Sequence, residues 1–64
     1  MKTYVYTNSI GRKKLIDIYD DIPQNGKYPF AIWDTLTGEL CNNGQATKKE
    51  LEHFLAHYGV QAQF

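Results

Sequence analysis

Glu50, His53 and His57 come closest in type and spacing to a reactive set. On a helix, histidines four residues apart with a carboxylate one turn earlier can converge on a metal ion such as zinc. At about 100° per residue, however, all three fall on the side away from Leu51, Phe54, Leu55 and Tyr58. That places them in solvent, with no neighbour to orient the imidazoles, so no metal site is expected. Nucleophilic catalysis would need a thiol or hydroxyl beside an oriented base. The only cysteine is Cys41 and the only serine is Ser9, the latter in a turn sequence. Asp17, Asp20, Asp21 and Asp34 could supply paired carboxylates, but a chain this short offers little depth for the desolvation that tunes such pairs. The five glycines are scattered, so no phosphate-binding loop exists. The expectation is a protein that is not an enzyme and carries no cofactor.

Sixty-four residues allow one domain, and a chain of this size buries only about 60% of its unfolded surface. A single cysteine cannot staple it, which suits a reducing compartment. No apolar run approaches the roughly 18 residues of a membrane span, and Met1-Lys2-Thr3-Tyr4 does not open a signal peptide. A cytoplasmic protein with no membrane partner is expected. Seven basic and seven acidic residues cancel, so no global field draws the chain to nucleic acid. The distribution is uneven: residues 1–27 hold five basic and three acidic side chains, residues 28–64 two and four. Arg12-Lys13-Lys14 is the sharpest cluster, with Lys27 the remaining cation of the central segment.

The elements that would position these groups read as strands followed by a helix. Thr3 to Thr7 is wholly β-branched or aromatic, which suits a strand. Asn8-Ser9-Ile10-Gly11 is a turn. Lys13 to Tyr19 predicts a second strand, and Asp20 to Gly26, with Pro23 and Asn25-Gly26, a break. A third strand runs from Tyr28 to Trp33; Pro29 cannot donate to a ladder, so it marks an edge or the first residues of pairing. Asp34 to Glu39 is a hairpin loop with Gly38 left-handed. A short fourth strand, about Glu39 to Asn42, ends at Asn43-Gly44. Thr47-Lys48-Lys49-Glu50 is a capping box, the stripe follows at i, i+3, i+4 and i+7, and Gly59 is a C-terminal cap onto which Val60 folds. The expected architecture is α+β: a meander of three or four antiparallel strands with one C-terminal helix packed on one face. Residues 1–60 form the domain and 61–64 a loose tail.

One helix covers one sheet face. Val5, Ile16, Ile18, Phe30, Ile32 and Leu40 are the expected core face, with Tyr28 at its rim. The pleat then sends Tyr4, Tyr6, Leu15, Tyr19 and Trp33 to the other face. An uncovered aromatic face of this kind marks an interface. The leading expectation is a small regulator or inhibitor that binds a protein partner through those five residues. The alternative is nucleic-acid binding, with aromatics stacking on bases and Arg12, Lys13, Lys14 and Lys27 meeting phosphates. A homodimer formed through sheet edges or faces is a further option.

Two local resemblances bear on this. Ala31 to Leu40, with Trp33-Asp34 ahead of Thr37-Gly38, looks like the hairpin of a WD-repeat blade, although nothing recurs at a 40-residue period. Residues 27–58 resemble the small arm-type DNA-binding N-terminal domains of phage integrases, which run three strands and then a helix. Lys27 to Asp34, the Gly38 turn and Thr47-Lys48-Lys49-Glu50-Leu51 carry that resemblance in order. It implies DNA binding through the outer sheet face. The basic strand residues of that family are missing here, where strands three and four carry Lys27, Asp34 and Glu39.

Overall fold

The structure, a computed structural model, describes residues 1–64. Four strands, β1 (Lys2–Thr7), β2 (Lys13–Ile18), β3 (Lys27–Asp34) and β4 (Leu40–Thr47), precede one helix, α1 (Lys48–His57). The strands pair antiparallel in sequence order, making the expected α+β meander. No helix is long and apolar enough to cross a membrane.

Turn chemistry sets the registers. Asn8 accepts from the backbone N–H of Ile10 and Arg12 through Oδ1, and Gly11 takes φ +81° to close the first hairpin. Asn25 and Gly26 both have positive φ, which is the type I′ geometry, and they join the Gln24–Lys27 bridge at the start of β3. Pro29 lies inside the sheet, yet its missing donor costs no ladder bond that β2 still needs. Its carbonyl accepts from Tyr19, just past the end of β2, and the carbonyl of Tyr19 accepts from Ile22 instead. The proline therefore ends β2 rather than breaking β3.

β4 runs on through Asn43-Gly44 to Thr47, longer than the turn dipeptide implies. Gly44 pairs with Phe30, and a Cβ built on it would lie 3.5 Å from the phenyl ring. The ring covers the backbone that glycine leaves bare, which keeps a poor strand residue in the ladder. A bulge between Ile32 and Trp33 shifts the register there, so Ile32 faces Asn42 while Trp33 faces Leu40.

α1 opens on the expected capping box: Thr47 Oγ1 accepts from the Glu50 N–H at 3.1 Å, and Glu50 Oε1 accepts from the Thr47 N–H at 2.9 Å. It closes on Gly59 at φ +76°, with Val60 N–H bonded to the Leu55 carbonyl and Gly59 N–H to that of Ala56, a Schellman cap. Leu51 and Leu55 are buried against Ile16, Ile18 and Ile32, and Phe54 and Tyr58 flank them.

The composition of the two faces departs from expectation in β1. Tyr4 and Tyr6 lie on the helix side, where Tyr6 is 7% exposed, whereas Val5 is turned outward and is 51% exposed. Tyr6 stacks on Tyr58 at 4.7 Å and meets Phe54 edge-on at 5.4 Å. Two tyrosines bury more apolar area than one valine, so the register that sends them inward wins. Leu40, also expected in the core, is 48% exposed, because the bulge puts it opposite Trp33. The last four residues are not loose. Ala62 is buried, Phe64 packs edge-on against Tyr28 at 5.8 Å, and the Tyr4 hydroxyl both accepts from the Gln63 N–H and donates to its carbonyl.

Candidate functional site

The outer face of the sheet is built by three rows of opposed residues. Val5 pairs with Leu15, Leu15 with Trp33 and Trp33 with Leu40, so one apolar ridge crosses all four strands. Beside it runs Thr3, Asp17, Ala31 and Asn43. Beyond that, Pro29 pairs with Gln45, next to Tyr19. Opposed side chains on one face stand about 5 Å apart and touch, which is what makes the ridge continuous.

Trp33 is the centre of this surface. Its indole Nε1 donates to Asp17 Oδ2 at 3.2 Å, and the Thr3 hydroxyl donates to Asp17 Oδ1 at 2.7 Å. One carboxylate thus ties β1 to β3 across β2 and holds the indole in a single orientation. The small side chain of Ala31 leaves an open depression of about 480 Å³ between Trp33, Leu40, Tyr19 and Pro29. A second, of about 390 Å³, lies on the other side of the indole against Leu15, Asp17 and Gly38. A rigid aromatic flanked by two hollows is a shape that a partner's side chains can grip.

Of the five residues expected on this face, Leu15, Tyr19 and Trp33 are there; Tyr4 and Tyr6 are not. Asp17 lies with Leu15 and Tyr19, as strand alternation predicts, while Val5 and Leu40, expected in the core, and Ala31 are further members. The strand alternation offered a signal for Val5, since a face holding Tyr4 and Tyr6 is the more apolar one. Nothing in the sequence marks the bulge that redirects Leu40.

The basic cluster does not form one patch. Arg12 and Lys14 converge on the same oxygen, Asp34 Oδ2, at 2.7 and 2.9 Å, while Lys13 is exposed opposite Thr7. Lys27 sits at the far end of β3 opposite Thr47. Asp34 is only 5% exposed, and its other oxygen accepts from the N–H groups of Leu36 and Thr37, which form the β3–β4 turn. The Lys14 ammonium, the Thr37 and Leu36 amides and the Arg12 charge hold this carboxyl well below the usual aspartate range, against the opposing pull of desolvation. Lys14 is held above its ordinary value in turn, chiefly by Asp34.

Cys41 is exposed, with its Sγ 3.3 Å from Lys14 Nζ. His53 and His57 are exposed too, and Glu50 is engaged in the helix cap, whose bonds from Thr47 lower its pKa. No three His, Cys, Asp or Glu side chains come together in a metal-binding arrangement. Compared with protein-family models, curated proteins and solved structures, the chain matches none.

Proposed function

We propose that this domain is a small non-catalytic interaction module, a regulator or inhibitor, that binds a protein partner through the outer face of its sheet. The observation that carries the reading is coverage. Helix and tail both pack on one face, and the ridge from Val5 to Leu40 on the other has no cover within the chain. A half-buried tryptophan already held by Asp17 supplies contact area with little further loss of rotamer entropy, the usual property of an interface anchor, and half-buried Tyr19 lies beside it. The two hollows beside Trp33 supply the matching shape.

Affinity capture from the native host, comparing wild type with the Trp33→Ala/Tyr19→Ala double variant, tests this. A protein retained by wild type and lost by the variant is the expected result. A circular-dichroism melt that stays cooperative separates lost binding from lost fold. Identical capture profiles for the two proteins overturn the reading.

A further inference from the structure

The free rim of β4 has the properties of a strand that pairs with another strand. Pro29 points its carbonyl to Tyr19, so the odd-numbered residues of β3 face β2 and the even-numbered ones bond to β4. Asn42, Gly44 and Ala46, opposite the even-numbered residues, turn their backbone groups inward. Asn43 and Gln45 turn theirs to the open rim. The Asn43 N–H is met only by the side-chain Oδ1 of Asn42, at 2.9 Å. From Asn42 to Ala46 the rim carries no charge and no proline, and the bulge lies before it. Charge, proline and bulges are the devices by which exposed edges avoid pairing.

We propose that β4 pairs antiparallel with β4 of a second copy of this chain, about a two-fold axis through Gly44. That register sets Asn43 against Gln45 of the second copy and Asn42 against its Ala46. It is a neutral, self-complementary match, with the side-chain-free residue at the point of closest approach. Antiparallel strands side by side in one sheet are related by an axis perpendicular to it, so both α1 helices fall on the same face. On that face a groove of about 250 Å³ lies between α1 and β4, lined by Phe30, Ile32, Ala46, Leu51 and Phe54. A stable interface removes about 800 Å² from each partner, and a bare strand rim is too narrow to reach it. The proposed dimer therefore needs the flank of the second copy's helix to pack at this groove as well. The outer ridge stays open in this dimer, so the inference stands apart from the partner-binding reading.

Sedimentation of the full chain across a concentration series tests it. Wild type is expected to rise to twice the chain mass. Asn43→Lys with Gln45→Lys places like charges opposite each other at two symmetric points, and is expected to weaken association on the order of tenfold or more. Asn43→Lys with Gln45→Glu makes both points attractive and is expected to restore it. Unchanged far-ultraviolet spectra across the variants show that the fold persists. A wild type that stays monomeric throughout, or a double-lysine variant that associates as wild type does, overturns the proposal. An Asn43→Lys/Gln45→Glu variant that stays monomeric overturns the register.

Discussion

Asp34 does the most of any single side chain to hold distant parts of this chain together. One carboxylate closes the β3–β4 turn through Leu36 and Thr37 and gathers Arg12 and Lys14 from the neighbouring hairpin. Because its folded pKa lies far below the ordinary 3.8, its contribution is fully present above that value. It drains away as pH falls from there toward the depressed folded value, since the unfolded chain takes up the proton first. Asp34→Asn should therefore lower stability at neutral pH and flatten the acid limb of a denaturation series below about pH 4. Urea midpoints taken across pH would show it, and an acid limb of unchanged steepness would rule it out. The residue was legible in the sequence only as a turn acid. Its two cationic partners lie 20 and 22 positions away, and only the β2–β3 pairing brings them in.

Among the elements, β4 and α1 show opposite uses of glycine. Gly59 sits at φ +76°, a conformation that L side chains resist, and Gly59→Ala should cost about 1 kcal/mol. Gly44 has no such constraint, and a methyl group there would touch Phe30 at ordinary contact distance. Gly44→Ala should therefore stabilise by about 0.5 kcal/mol through the unfolded chain. Thermal melts at a dilution where the chain is monomeric distinguish the two signs. The helix was readable to the residue because its signals are local: a capping box, a stripe and a C-terminal glycine lie within 13 positions, from Thr47 to Gly59. β4 was cut short because Asn43-Gly44 reads as a turn. What keeps it extended is the Phe30 ring, which belongs to another strand.

At the scale of the whole molecule, the tail changes the account of coverage. Ala62 and Phe64 join the core face, and the Tyr4 hydroxyl bonds Gln63 in both directions. Removing residues 61–64 should cost about 2 kcal/mol, the scale of burying one large apolar side chain, and should lower the melting temperature measurably. A melt unchanged by truncation would mean that the tail contributes nothing. With the tail committed to the helix side, the ridge of Val5, Leu15, Trp33 and Leu40 has no cover in this chain. An uncovered face opposite a well-packed one is a partition made by the entire fold.

Legible in the chain alone were the α+β class, the helix with both its caps, and an apolar surplus that one helix cannot hide, with a meander as no more than the default strand order. These rest on propensity, turn chemistry and periodicity within a few neighbouring residues. Which side chains compose each face was decided by tertiary structure. In β1 the alternating sets are Tyr4 and Tyr6 against Thr3, Val5 and Thr7; the larger rings favour the first set, and packing under the helix settled it, leaving Val5 outside. In β4 a single bulge reversed Leu40. Period-2 alternation states that neighbours face opposite ways, and only the packed helix states which way is in.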